Sequence, residues 1–236
     1  MQLPTITNKQ KEILLLLYRF RFLNRIQIQK LLKHKNPKNT NVWLKDLTTK
    51  SYTKRIFEKR AGINEPAIYF ISTNGIKFLK SMEGCEKEYL KKLYQESRRS
   101  NAFIGQCILI AETYLNLESQ NLKGLKFYTQ SDFPQNGIIR DLLPGFAYIQ
   151  EINTKIEHYT CELLKEGLPR FAIRARIKKY LEFFPQNNTN KINIIFICPT
   201  DSIQKYVDKF ARKFLEDENI EDINFYAKTI LELVKI

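Results

Sequence analysis

The chain has 236 residues, of which 43% are hydrophobic and 27% are charged, as in an ordinary globular protein with its own core. Its longest purely aliphatic run, residues 13–17, is too short to cross a bilayer, which excludes a helical membrane protein. The unusual quantity is the formal net charge of +14, which favours anionic partners, nucleic acid first and an anionic membrane surface second.

The positive charge is concentrated at the start of the chain. Residues 1–82 hold 17 Lys and Arg against 4 Asp and Glu, a net of +13, whereas residues 101–236 hold 17 of each and are neutral. A generally basic protein would spread the excess evenly, so the asymmetry indicates a localised binding surface.

The cysteines are few and widely spaced, and none forms a Cys-x-x-Cys pair, which argues against structural zinc and against a disulfide framework. We therefore expect buried free thiols, no metal and no cofactor. No cleavable signal pattern opens the chain, so we expect a cytoplasmic protein. The four cysteines are Cys85, Cys107, Cys161 and Cys198.

Two capped helices are predicted first. The stretch "TNKQKEILLLLYRF" offers Thr7 or Asn8 as its N-cap, and "NRIQIQKLLKHK" offers Asn24. The apolar positions that recur at helical spacing are Ile13, Leu16, Leu17 and Phe20 in the first helix and Ile28, Leu31 and Leu32 in the second.

A third helix is predicted to follow Asn36, with Pro37 at its first position. At about 100° per residue, its two sides differ in chemistry. One side is apolar, and the other holds no acid but offers cations for phosphates, an amide for an adenine edge and small groups for a thymine methyl. The first side carries Thr40, Trp43, Leu44 and Leu47, and the second carries Lys38, Asn41, Val42, Lys45 and Thr49.

A β-hairpin is predicted next, from "YTKRIFEKR" and "PAIYFIST", followed by a helix that starts at Asn74. Three helices, a hairpin and a helix are the element order of a winged helix-turn-helix, in which the third helix enters a major groove of double-stranded DNA. A wing used for protein contacts, or a charged surface that is merely solvated, is the alternative. The predicted DNA-binding residues are Lys38, Asn41, Lys45, Thr49, Lys54, Arg55, Lys59 and Arg60.

Residues 83–118 are predicted to be connecting helices of mixed charge. Their second half carries an apolar stripe at Ile104, Ile108 and Ala111. We expect this stretch either to pair with a second copy or to pack on the domain that follows, and both alternatives stay open here.

Residues 119–236 are predicted to form a small α/β domain. "LKFYTQ", "GIIRDLLPGFAYIQ" and "EHYTCELL" have the pattern of strands, and "KINIIFICPT" is typical of a buried central strand. "RFAIRARIKKYLEFF" predicts an amphipathic helix, and a second helix is predicted to begin at a capping Asp201 or Ser202. "INFYAKTILEL" is ambiguous, with a final strand favoured. The fold class expected for the whole chain is α+β.

The chain resembles the replication-relaxation family of plasmids and other mobile elements. The resemblance is carried by "RFLNRIQIQKLL", "IYFISTNGIKFL", "LLPGFAYI", "YTCELLKEG" and "RARIKKYLEFF". It implies replication or gene control on a mobile element, and a second domain that looks like a restriction-endonuclease core. Such a core needs an acid on one strand and an acid-x-lysine on the next to hold a divalent ion and the attacking water.

This chain departs from that nuclease pattern. It has Pro144-Gly145 where the family places Pro-Asp, and Asp141 lies three residues early. Glu162 matches the family's acid, but Lys165 is one step out of place and would face the other side of a regular strand.

We therefore expect a non-enzymatic, homodimeric DNA-binding protein whose second domain serves assembly. A metal-dependent nuclease and a protein-interaction adaptor are the alternatives.

Overall fold

The chain folds into two compact units, and the boundary between them lies between Leu115 and Asn116. The structure is a computed structural model, and it describes residues 3–57, 65–133, 142–184, 192–230 and 232. Both units combine helices with a β-sheet, so the mixed α+β class is confirmed. The three-part division expected from the sequence, with boundaries after residues 82 and 118, stays a prediction.

The first unit begins with three helices and a short strand between the first two. The elements described in this unit are α1 (Asn8–Phe20), β1 (Phe22–Asn24), α2 (Arg25–Leu31), α3 (Pro37–Thr49), β2 (Thr53–Ile56), β3 (Ile68–Ile71), α4 (Thr73–Leu79), α5 (Lys87–Leu93), a 3₁₀ turn (Glu96–Arg98) and α6 (Asn101–Ser119), which continues into the second unit.

Side-chain caps fix where the first three helices start. Thr7 and Gln10 form a reciprocal capping box at α1, and Asn24 and Gln27 form another at α2. The side chain of Asn36 accepts a hydrogen bond from the Lys38 N–H at α3. The N-caps predicted from the sequence are confirmed for all three helices, with Thr7 rather than Asn8 capping the first.

The sheet of the first unit has the order β1-β3-β2, and both pairings are antiparallel. Strand β1 was not predicted, because three residues are too few to show an alternating pattern. Since side chains alternate along a strand, the sheet has two distinct faces. Arg55 pairs with Tyr69 on one face, and Lys54 pairs with Phe70 on the other.

Helix α6 covers the second of these faces. Ile104 and Cys107 are buried against Phe22 and Phe70, and Ile56, Ile68, Phe103 and Ile108 surround them. The side-chain amide of Gln27 donates to the Ile108 carbonyl at 2.9 Å. The start of α6 therefore packs on the first unit, a contact that neither sequence-based alternative included.

A buried ion pair joins the end of α1 to the 3₁₀ turn. Arg21 has a φ of 68°, and its side chain pairs with Glu96, whose side chain is 1% exposed. The Arg21 guanidinium also lies 4.4 Å from the centre of the Phe103 ring. This contact holds the first turn of α6 beside the corner between α1 and β1.

The second unit contains a five-stranded sheet of order β4-β5-β6-β7-β8. Strands β4 to β6 are antiparallel, whereas β7 is parallel to both β6 and β8. The elements described after α6 are β4 (Lys126–Tyr128), β5 (Phe146–Ile152), β6 (Lys155–Leu163), α7 (Arg170–Phe183), β7 (Ile192–Cys198), α8 (Asp201–Asp217) and β8 (Ile223–Thr229).

The core of this unit lies between the sheet and the two helices α7 and α8. Every residue of β7 is buried, which confirms the predicted central strand. The apolar set predicted for α7 faces this core and consists of Ile173, Ile177, Tyr180, Leu181 and Phe184. The predicted cap of α8 was wrong by one residue, because the side chain of Thr200 accepts the hydrogen bond from the Ile203 N–H.

The cysteines are free thiols in this structure. Cys85 is half-buried, and the other three are buried. Among the residues that the structure describes, no helix combines the length and the apolar character needed to span a bilayer.

Candidate nucleic-acid interface

Helix α3 buries one side and exposes the other, as the sequence predicts. Thr40, Leu44 and Leu47 are fully buried, whereas the opposite side is exposed to solvent. Since positions 38, 41, 45 and 49 recur every three or four residues, they form one stripe along the helix. The exposed residues of this stripe are Lys38, Asn41, Val42, Lys45 and Thr49.

The acid of α3, Asp46, belongs to the contact between α3 and α1. Its carboxylate accepts hydrogen bonds from Lys50 Nζ and from Gln10 Nε2, both at 2.7 Å. The hydrogen bond from Lys50 and then that from Gln10 hold the pKa of Asp46 below its ordinary value. The acid is thus neutralised by its neighbours and leaves the exposed stripe free of negative charge.

A cleft of about 480 Å³ joins α3 to the sheet. The exposed stripe of α3 forms one wall, and β2 and β3 form the other. None of the residues that line the cleft is acidic. Tyr69, which is 8% exposed, lies at the sheet side. The residues that line the cleft are Asn41, Lys45, Thr48, Thr49, Arg55 and Tyr69.

One hydrogen bond sets the direction of Arg55. The hydroxyl groups of Thr48 and Thr53 lie 3.1 Å apart, which anchors the start of β2 to the end of α3. Because Arg55 follows Thr53 by two residues, its side chain leaves the strand on the same side, toward α3.

Lys54, which the sequence places with Arg55 among the predicted DNA-binding residues, does not line this cleft. It lies on the reverse side of the sheet, where it lines a smaller depression with Phe70, Tyr94 and Ser97. The physical reason is the alternation of the strand, which sends neighbouring side chains to opposite faces. Lys59 and Arg60 lie outside the described residues.

The structure adds Arg25, which the sequence did not single out. Arg25 and Arg55 line a second cleft together with Phe57 and Glu65. The backbone N–H of Arg25 donates to the Ala67 carbonyl at 3.1 Å, which ties the start of α2 to the residue that precedes β3. Only the unpredicted pairing of β1 with β3 brings these residues together, so the local sequence carried no signal for it.

In the second unit, Glu162 is held by two donors. Its Oε2 accepts hydrogen bonds from the Arg176 guanidinium at 2.8 Å and from the Tyr180 hydroxyl at 2.7 Å. Burial, followed by the adjacent Glu162 carboxylate, raises the pKa of Tyr180 well above its ordinary value, so the phenol keeps its proton. This carboxylate is therefore already engaged by a cation of the chain itself.

Lys165 and Asp141 are the other residues of the nuclease pattern. Lys165 follows the end of β6 by two residues and is exposed, and Asp141 lies outside the described residues. In the ranges that the structure describes, no three His, Cys, Asp or Glu side chains are grouped so that they could hold a metal ion. Cys161 is fully buried, and burial raises its pKa.

Comparisons with known proteins give one family and weak structural likenesses. A search of curated proteins found no match. Two solved structures of the restriction endonuclease FokI, one bound to DNA and one free, are 12% and 11% identical to this chain, with TM-scores of 0.33 and 0.32. They match 96% and 99% of this chain, which spans 43% and 46% of those chains, and at these scores the likeness carries no functional implication.

The family model is the more informative comparison. The model described as replication-relaxation matches residues 14–131, which is half of the chain and includes α3, the hairpin and α6. On this match, the protein belongs to the replication-relaxation family.

Proposed function

We propose that this protein binds double-stranded DNA and controls the replication or transcription of a plasmid or mobile element. Membership of the replication-relaxation family supports a role in replication of such elements. DNA binding is the mechanism that the chemistry of the first unit favours.

The first unit has the element order of a winged helix-turn-helix. Helices α1 to α3 precede a hairpin made of β2 and β3, and β1 completes a three-stranded sheet. In proteins of this architecture the third helix lies in the major groove and the hairpin follows the DNA backbone. We assign these two roles to α3 and to the β2–β3 hairpin.

One observation carries the proposal, namely that the exposed stripe of α3 and Arg55 line the same acid-free cleft. Lys45 and Arg55 supply cations for phosphates, and Lys38 extends this charge toward the start of the helix. Asn41 supplies an amide that pairs with an adenine edge, and Val42, which is 63% exposed, supplies an apolar contact for a thymine methyl.

The experiment compares Arg55→Ala with Lys54→Ala in the full chain. The two residues are adjacent, both exposed and both cationic, but they leave the strand on opposite faces. Affinity for a duplex is measured by fluorescence anisotropy at several salt concentrations. Arg55→Ala should reduce the slope of log K against log salt by about 0.9, the value for one lost phosphate contact.

Lys54→Ala should leave the affinity and the slope as in the wild type. Equal losses in the two variants would show that the cations act only through net charge, which contradicts the proposed interface. Asn41→Ala should weaken a preferred site by about 1–3 kcal/mol more than random DNA, since each bidentate base contact contributes that much discrimination. An equal loss on all sequences would remove Asn41 from the base-reading role.

We further propose that the second unit is not catalytic. The support is the ion pair between Glu162 and Arg176, because a guanidinium 2.8 Å from the carboxylate neutralises the acid that a metal ion would need. Duplex DNA incubated with the protein and Mg²⁺ or Mn²⁺ should stay intact on a denaturing gel. Cleavage that Glu162→Ala abolishes would overturn this assignment and favour a nuclease.

Assembly as a homodimer on a two-fold-symmetric site stays a prediction from the sequence. Light scattering of the purified protein, alone and with DNA, measures the number of copies directly. A single copy under both conditions would contradict it.

A further inference from the structure

The second unit carries a cationic surface that its net charge of +1 conceals. Helices α7 and α8 pack on one face of the sheet, and each exposes three cations at intervals of four residues. Residues spaced in this way line up along one side of a helix. The two rows are Arg170, Arg174 and Lys178 on α7, and Lys205, Lys209 and Lys213 on α8, and we call them the α7–α8 rows.

Aromatic side chains hold the two helices side by side. The Arg170 guanidinium lies 5.0 Å from the centre of the Tyr206 ring, and Lys178 Nζ lies 5.3 Å from the centre of the Phe214 ring. Because the earlier residue of α7 meets the earlier residue of α8, the helices run in the same direction. The two rows are therefore parallel, and each spans about 12 Å at the rise of an α-helix.

The acids of the two helices do not interrupt the rows. Asp201 is the first residue of α8, Glu216 and Asp217 are its last two, and Glu182 is the last but one of α7. Asp208 pairs with Arg212 at 2.8 Å. In the part of the chain that the structure describes, no carboxylate forms an ion pair with any member of the rows.

We propose that the α7–α8 rows bind the phosphate backbone of double-stranded DNA, as a second contact of the DNA held by α3. This inference rests on the proposed function of the first unit. Six exposed cations in two parallel lines match a uniformly charged backbone rather than base edges.

Two other occupants fit the surface less well. A second copy of the chain would place like charges opposite each other, which costs free energy instead of gaining it. A lipid surface is bound by amphipathic helices with several apolar side chains on the exposed face. Here the apolar residues of both helices face the protein core, and Phe171 is the large apolar residue that α7 exposes.

The test uses the full chain with Lys205, Lys209 and Lys213 all changed to Ala. Alanine favours helix, so α8 should keep its structure, which circular dichroism checks. The control changes Lys87, Lys126 and Lys155 to Ala, three exposed lysines outside both surfaces, and gives the same change in net charge. Binding to a random-sequence duplex of about three helical turns is measured between about 50 and 200 mM salt.

The triple variant of α8 should lower the slope of log K against log salt by up to about 2.7, while the control should match the wild type. A slope and an affinity equal to those of the control would overturn the inference. Loss of binding to phosphatidylserine vesicles with unchanged binding to DNA would also overturn it, in favour of a lipid.

The same measurements on Arg55→Ala separate the two claims. If Arg55→Ala weakens binding and the α8 variant does not, the interface of the first unit stands and the α7–α8 rows are excluded. If only the α8 variant weakens binding, the second unit is the DNA-binding surface and the first-unit interface is wrong. If neither variant differs from its control, both proposals fail.

Discussion

Removal of the Arg176 side chain tests whether the Glu162 carboxylate is a structural element of the second unit. Arg176→Met keeps an unbranched apolar stem but deletes the guanidinium that donates to Glu162 at 2.8 Å. The same guanidinium donates to the Leu143 carbonyl at 3.1 Å. In this variant the Glu162 carboxylate, which is largely buried, keeps the Tyr180 hydroxyl as its one donor among the residues that the structure describes.

The size of the effect follows from the exposure of the two partners. Removing one partner of a fully buried pair destabilises a protein by about 3–5 kcal/mol. Here the side chains of Arg176 and Glu162 are 25% and 14% exposed, so water screens part of the interaction. We expect a loss of about 2 kcal/mol in the free energy of unfolding, between the buried and the surface case. This loss corresponds to a decrease of about 4–8 °C in Tm.

The assay is scanning calorimetry of the full chain, supported by urea denaturation, with Arg174→Met as the matched control. Arg174 lies on the same helix, is exposed and has no carboxylate partner among the described residues, so its Tm should stay within about 2 °C of the wild type. The double variant Glu162→Gln/Arg176→Met should recover most of the loss, because the charge that lacks a partner is gone. An unchanged Tm in Arg176→Met would refute the structural role of the pair.

Two further predictions concern packing and thiol chemistry. Gly75→Ala should destabilise the first unit by about 1–3 kcal/mol, because the new Cβ would clash with the Tyr52 carbonyl oxygen. Gly105→Ala in α6 meets nothing within 4 Å and should stabilise the protein by about 0.5–1 kcal/mol. Chemical denaturation measures both, and a loss at Gly105 as large as at Gly75 would contradict the steric argument. Burial raises the pKa of Cys85 and raises those of Cys107 and Cys198 to about 12. Because Cys85 is half-buried and the other three thiols are buried, it should react first with a disulfide reagent at mildly alkaline pH. A fast phase that survives Cys85→Ser would contradict this order.

Elements with a strong local signal were predictable from the sequence. Asn36 followed by Pro37 marks the start of α3, and the spacing of Leu44 and Leu47 gives its buried side, because capping and amphipathic periodicity act within a few residues. The continuous apolar run of β7 identified the central strand for the same reason. Tertiary packing in these segments agrees with the secondary structure that their local sequence favours.

The features that were missed depend on contacts between distant segments. Lys54 and Arg55 are equivalent by charge, and only the pairing of β2 with β3 and the Thr48–Thr53 hydrogen bond decide which of them turns toward α3. The position of Arg25 depends on β1, which has three residues and no alternating pattern of its own. A register that is set across strands cannot be determined from one strand alone.

The second cationic surface was missed because a charge count adds all sides of a molecule, whereas a ligand meets only one side. The 17 cations and 17 acids of residues 101–236 cancel in the sum, yet α7 and α8 place most of their cations on the solvent-facing side and most of their acids at the helix ends.

The two proposed surfaces also differ in kind. The first contains Asn41 and Thr49 among its cations, and the second contains only lysine and arginine, so sequence preference must reside in the first. Substitutions in the α7–α8 rows should therefore weaken preferred and random DNA by the same factor, and a change in the ratio of the two affinities would show that the second surface also reads sequence.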